Sequence, residues 1–138
     1  MKMPKEIFLS HSSIDGECAA DLALVLRDHG LNVWYSDTNI QNANQWHDEI
    51  GKALRRCDWF VVLLSPHSVA SEWVKRELLY ALRKQQYREH ILPILIHKCD
   101  YEELSWTLDA FQMVDCSNAN SIDYPQVLKT WGLGFKGS

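Results

Sequence analysis

Residues 58–66 read Asp58-Trp59-Phe60-Val61-Val62-Leu63-Leu64-Ser65-Pro66. Apolar side chains fill every position from Trp59 to Leu64, so this stretch has no polar face. A short continuous apolar run, closed by an acid before it and Ser-Pro after it, suits a central parallel strand covered by helices on both sides. Trp46, Ile50, Ala53, Leu54 and Cys57 precede it at helical spacing, and a third helix is predicted after it from Val69 to about Gln86. The same alternation extends outward. Ile7-Phe8-Leu9 reads as a first strand, and Cys18, Leu22, Val25 and Leu26 mark a helix from about Asp15 to His29. Gly30 stops that helix. Asn32–Tyr35 is a second strand and Ile91–Ile96 a fourth, with Pro93 near its start or at an irregularity. A short helical stretch near Tyr101–Leu108, a fifth strand Phe111–Asp115 and a last helix of about Ile122–Trp131 complete the pattern. Strands alternating with helices require right-handed crossovers. The expected architecture is α/β, a flavodoxin-like doubly wound five-stranded parallel sheet of order 2-1-3-4-5.

Such sheets bind ligands at the carboxyl ends of the strands, beside the switch point between the first and third. Three loops therefore hold the chemistry: Ser10–Asp15, Ser36–Gln45 and Ser65–Ser71. At 138 residues and a formal net charge of −4, one acidic domain is expected, without the basic footprint of a nucleic-acid binder. No apolar run approaches the roughly 18 residues that span a bilayer, and the N-terminus has no signal-peptide pattern. The expected location is cytoplasmic. Cys18, Cys57, Cys99 and Cys116 form no C-x-x-C pair, and the six histidines are dispersed. The cysteines read as scattered small hydrophobes, and no metal is expected.

The G-x-G-x-x-G pattern Gly132–Gly137 has no helix after it to offer a phosphate, and reads as a frayed tail. A phosphorelay receiver needs carboxylates where the first and third strands end, whereas those positions are Ser10 and Ser65. No G-x-S-x-G elbow occurs. Ser12 or Ser13 either caps the first helix or offers a hydroxyl to a phosphate. In the third helix Trp73, Glu77 and Ala81 share a stripe with no cation on it, and Ser71 suits the N-cap. From spacing alone, Glu77 is a solvated helix glutamate or a functional carboxylate.

The motifs together resemble a TIR domain, the Toll/interleukin-1 receptor/resistance-protein module, over about residues 5–132. Ile7-Phe8-Leu9-Ser10-His11 with Asp15, and Val33-Trp34-Tyr35-Ser36-Asp37, are similar to the family's first two strands and their flanking acids. Ile40, Trp46, Ile50 and Ala53-Leu54 are similar to its long loop and second helix. Asp58–Pro66 and Ser71-x-Trp73-x-x-x-Glu77-Leu78 are similar to its third strand and third helix. The chain departs from the family where Asn42-Ala43-Asn44-Gln45 replaces the usual Pro-Gly, and where Lys5-Glu6 replaces the acid before strand one. Asn, like Gly, adopts left-handed backbone conformations.

The resemblance implies a single domain over 1–138 that cleaves NAD+ at the nicotinamide–ribose bond, giving ADP-ribose or a cyclic product, in immune defence or effector signalling. It implies Glu77 as the catalytic carboxylate. Ser10, His11, Trp34, Asp37, Trp46, Ser71 and Trp73 are the implied substrate-binding residues, with Trp34 or Trp46 stacking on nicotinamide or adenine. NAD+ is then substrate, and no cofactor is needed. Other TIR domains are the implied partners, through self-association at the Ser36–Gln45 loop, with no nucleic acid or membrane. The alternative is a non-catalytic adaptor that recruits other TIR domains.

Overall fold

The computed structural model describes residues 3–36 and 43–137, with side chains from residue 47 onward in the second stretch. Its strands are β1 (Ile7–Ser10), β2 (Val33–Tyr35), β3 (Trp59–Leu64), β4 (Ile91–Leu95) and β5 (Val114–Asp115). Its helices are α1 (Gly16–Asp28), α2 (Ala43–Arg56), α3 (Pro66–Val69), α4 (Glu72–Arg83) and α5 (Tyr124–Lys129). All strand pairings are parallel and the order is β2-β1-β3-β4-β5. The expected flavodoxin-like arrangement is the one observed.

The pleat of β3 explains why residues 59–64 are apolar throughout. Trp59, Val61 and Leu63 point into one core, with Ile7 and Leu9 of β1, beneath α1 and α5. Phe60, Val62 and Leu64 point into the other, with Phe8, beneath α2 and α4. Period two in a strand sends alternate residues to opposite faces, so a two-layered cover needs apolar residues at every position.

Several boundaries differ from the sequence reading. The predicted helix Val69–Gln86 is three pieces: α3, α4 and a 3-10 turn Gln85–Tyr87. Ser65 caps α3 in a reciprocal box with Ser68, and Pro66 opens it, so Ser65-Pro66-His67-Ser68 starts a helix rather than only ending a strand. Ser71 then caps a new helix by accepting from the Val74 N–H at 3.2 Å. The fifth strand begins at Val114, because β5 pairs only with Ile94 and Leu95. Pro93 thereby has strand pairing on the β3 side alone, a setting that tolerates a residue without an N–H. The last helix is shorter than expected, opening at the Asp123 cap. The stretch Tyr101–Leu108 is two 3-10 turns, Tyr101–Glu103 and Trp106–Ala110.

Gly30, at φ 85°, closes α1 as predicted. Leu31 N–H reaches the Leu26 carbonyl and Gly30 N–H the Arg27 carbonyl, which is the Schellman arrangement. Gly132, at φ 72°, repeats it after α5, with Leu133 donating to Leu128. The residues after it are no frayed tail. Phe135 stacks on His29 at 5.7 Å, and the Lys136 N–H donates to His29 Nε2 at 2.8 Å. All four cysteines are free thiols, and burial pushes Cys57 up to about 12 and Cys18 to about 11.

Candidate active site

The two cores are apolar except at one end. β1 delivers Ser10 to its carboxyl terminus on the same face as Phe8, two residues earlier, and α4 lies against that face. The buried stripe of α4 is Val74, Glu77, Leu78 and Ala81, the i, i+3, i+4, i+7 positions of a core-facing helix. Glu77 thus occupies a place that the fold would otherwise give to Leu or Ala. It is 5% exposed. Ser10, 1% exposed, donates its hydroxyl to Glu77 Oε1 at 2.7 Å. Among the described residues no Lys, Arg or His forms an ion pair with it.

Removing a carboxylate from water without a cation disfavours its charged form. Burial raises the Glu77 carboxyl from its usual 4.5 to about 7, and the Ser10 hydrogen bond opposes only part of that rise. A buried carboxyl pushed up to about 7 and held by one hydroxyl beside the sheet's switch point makes this a candidate functional site by location and chemistry.

Around this pair, Trp34 on β2 is half-buried and stacks on Phe8 at 5.0 Å; Phe8 stacks on Phe60 at 5.5 Å. The aromatic ladder crosses β2, β1 and β3 in register, Trp34 opposite Phe8 and Phe8 opposite Phe60. Trp73 lies one turn before Glu77, with the Arg76 guanidinium 5.6 Å from its ring centre and His47 edge-on at 6.0 Å. Ser71 spends its hydroxyl on the α4 cap. His11 is buried, with Nδ1 2.7 Å from the Ser12 carbonyl oxygen and Nε2 3.3 Å from that of Ser36. Its imidazole ties the loop after β1 to the end of β2. The structure therefore joins Ser10 directly to Glu77 and puts Trp34 and Trp73 in the same layer. Asp37, the side chain of Trp46 and most of the Ser36–Gln45 loop lie outside the described residues.

One contact escaped the sequence reading. The Ser65 hydroxyl donates to Asp15 Oδ2 at 2.5 Å, and the Ser12 hydroxyl to the same oxygen at 3.2 Å. Ser12 also caps the 3-10 turn Ser13–Asp15 rather than α1 itself, whose N-cap position is Asp15. Asp15 is buried, so this carboxylate and two hydroxyls clamp the loop after β1 to the end of β3. The available signal was the S-x-x-S box at Ser65 and Ser68 following an apolar run. Among the described residues, no group of three or more His, Cys, Asp and Glu could hold a metal ion.

A sequence model of the TIR domain matches residues 7–128. The chain belongs to the TIR-domain family. This TIR domain is 34% identical over 105 residues to the NAD(+) hydrolase PdTIR of Paracoccus denitrificans (strain Pd 1222), a match covering 74% of this chain and 34% of that protein. It is 26% identical over 100 residues to the 2' cyclic ADP-D-ribose synthase BtTIR of Bacteroides thetaiotaomicron, covering 72% of this chain and 35% of the relative. The chain thus spans about a third of the length of these curated relatives. Its fold is shared with the TIR domain of the Toll-related receptor TRR-2 from Hydra magnipapillata, with a TM-score of 0.65 at 19% identity over 79% of this chain and 82% of that one. Among the described residues of the TIR domain, no helix is long and apolar enough to cross a membrane.

Proposed function

We propose that this TIR domain cleaves NAD+ between nicotinamide and ribose, with Glu77 as the catalytic carboxylate. The observation that carries the reading is the buried, cation-free Glu77 held by Ser10 at the carboxyl end of β1. Relatives named for NAD+ hydrolysis and cyclic ADP-ribose synthesis support it.

The chemistry follows from the substrate. The pyridinium of NAD+ departs as neutral nicotinamide, so the leaving group needs no strong acid. The bond that breaks leaves the ribosyl carbon electron-poor, with oxocarbenium character as in glycoside cleavage. A carboxylate facing that carbon, or accepting hydrogen bonds from the ribose hydroxyls, stabilises the developing positive charge. Low local polarity strengthens that interaction. Water then adds to the carbon, yielding ADP-ribose and one proton, or an internal nucleophile closes a cyclic product. Trp34, Trp46 and Trp73 supply aromatic surface for the nicotinamide or adenine rings, and Ser10, His11, Asp37 and Ser71 supply polar contacts. The active form assembles with other TIR domains through the Ser36–Gln45 loop, in immune defence or effector signalling.

The ionised form of Glu77 does this work. Because burial raises its carboxyl to about 7, turnover with low substrate is expected to rise as pH passes through that value. The decisive experiment incubates the purified chain with NAD+ across protein concentrations and measures nicotinamide by chromatography. Release that increases per molecule with concentration supports an assembled enzyme. No release at any concentration from folded protein sinks the enzymatic reading and leaves the adaptor one.

A further inference from the structure

NAD+ cleavage makes no use of the contacts that fasten residues 133–137 to the end of α1. After the Gly132 turn, the Leu133 N–H donates to the Leu128 carbonyl and its side chain packs against the core beneath α1 and α5. Gly134 follows, where a Cβ would meet no heavy atom within 4 Å. Phe135 then stacks on His29 at 5.7 Å, with 19° between the rings, and meets Tyr124 of α5 at 6.0 Å. A Cβ on Gly137 would overlap the Phe135 ring, so the chain folds tightly over that ring and needs glycine there. These residues form a built strap.

The partners of the His29 imidazole fix its protonation state. Nδ1 lies 2.7 Å from the Val25 carbonyl oxygen, which can only accept, so Nδ1 carries a hydrogen. Nε2 receives the Lys136 N–H at 2.8 Å, which can only donate, so Nε2 presents its lone pair. Both contacts together demand the neutral Nδ1–H tautomer. A second proton would set a hydrogen on Nε2 against the Lys136 N–H and break that contact, while the Val25 contact survives. The cation so formed is well placed, because His29 is the C-cap of α1 and meets the negative end of that helix. The charged groups on the elements packed here are Asp21, Arg27 and Asp28 on α1, Asp123 and Lys129 on α5, and Lys136 on the strap, with the Tyr124 phenol. Among the described residues none of them forms an ion pair with the imidazole. Arg27 is held by the Val33 carbonyl at 2.7 Å and by the Tyr35 ring at 5.5 Å.

We propose that residues 134–137 are a proton-released strap, closed over the end of α1 while His29 is neutral and opened when His29 takes up a proton. Leu133 stays seated on the core, and Gly134 is the hinge. The closed strap binds one proton fewer than the open one, so stability of the closed form is lost as pH falls. Opening belongs to the pH 5–8 range in which histidines ordinarily change charge. It frees the Phe135 ring from its contacts with His29 and Tyr124 and leaves the sheet and its carboxyl-terminal cluster untouched.

Nuclear magnetic resonance of the isotope-labelled chain, titrated between about pH 8 and pH 5, tests this without reference to NAD+ cleavage. At the alkaline end the amides of residues 135–137 should have order parameters above about 0.8, falling below about 0.6 at the acid end. The Lys136 amide shift should move with the same midpoint as the His29 ring, while the Leu133 amide stays ordered throughout. Phe135→Ala and Gly137→Ala should each open the strap already at pH 8. By linkage, each should also raise the His29 midpoint by about half a pH unit or more, because Nε2 then no longer faces the Lys136 N–H. His29→Ala should leave residues 135–137 mobile at both ends of the titration. Far-UV circular dichroism verifies that each variant is folded. A strap that is mobile in the wild type at pH 8, or still closed at pH 5, overturns the proposal. So does opening at a midpoint apart from that of His29, a His29 midpoint unmoved by Phe135→Ala, or a strap that stays ordered in His29→Ala.

Discussion

At the amino-terminal end of the parallel sheet, Asp58 accepts the Lys5 and Glu6 N–H groups at 2.9 and 3.2 Å, and Arg56 pairs with Glu6 through two nitrogens at 2.7 and 2.9 Å. Gln86 donates to the carbonyls of Leu54, Arg55 and Cys57, and the Tyr87 hydroxyl donates to Leu54 as well. These polar groups either stay near solvent or finish the hydrogen bonding of a helix end. At the carboxyl-terminal end, by contrast, Ser10, His11, Ser12, Asp15, Ser65, Ser68 and Glu77 are all buried, and among the described residues neither carboxylate forms an ion pair. The first arrangement lowers the free energy of the fold. In the second, the capping contacts of Ser65 and Ser68 stabilise while burial of the cation-free Glu77 carboxylate costs free energy, a setting that marks a candidate functional site. One sheet thus sets a stabilising end apart from the end that carries the candidate site.

The contrast can be broken most sharply at Glu77. Glu77→Gln keeps the shape and the Ser10 contact but removes the charge, and nicotinamide release is expected to fall by roughly two to three orders of magnitude. The same variant should be the more stable protein at alkaline pH. Between about pH 4.5 and 7 the unfolded chain has released a proton that folded Glu77 retains, so wild-type stability falls as pH rises through that window. The accumulated difference at pH 8 is about 3 kcal/mol and vanishes near pH 4. Urea midpoints of both proteins at the two pH values measure it. A midpoint that is unchanged by the substitution at pH 8 would mean that the carboxylate is not held at a cost.

Ser65→Ala probes the other buried carboxylate. It removes the shortest hydrogen bond to Asp15 and the cap of α3, and should destabilise by about 2 kcal/mol. Activity per folded molecule should drop as well, because the clamp positions the loop that follows Ser10 and carries His11. At the stabilising end, Tyr87→Phe leaves the Leu54 carbonyl without its 2.6 Å donor, costing about 1 kcal/mol in urea titration with unchanged turnover. Glu6→Gln loosens the half-exposed pair with Arg56, and a shift under about 0.5 kcal/mol is expected, shrinking further in salt.

The elements were legible in the sequence because the cores impose their period on it. Trp59–Leu64 could be read as a doubly covered strand and Gly30 as a helix stop, since each is decided by neighbours a few residues away. The carboxyl-terminal cluster was legible only in part. Ser10 and Glu77 meet across 67 residues, and Asp15 and Ser65 across 50. Nothing local marks such pairs, and Glu77 by itself has the pattern of any helix glutamate. The family resemblance drew attention to Glu77, while the Asp15–Ser65 clamp needed the fold. The division of residues 66–87 into three helical pieces was hidden because Val69, Val74, Leu78 and Ala81 keep an approximate helical spacing across the break at Ala70 and Ser71.

The place of Glu77 in the buried stripe of α4 also has a consequence for sequence drift. A population of these domains selected only for surviving heat, with nothing asked of the site, would be pushed to replace it by Leu or Met, completing the Val74–Leu78–Ala81 face. A glutamate retained at this position through such drift would therefore record a continuing demand from function. Comparing how quickly position 77 changes under selection with and without that demand turns a single buried side chain into a readable history of what the domain was kept for.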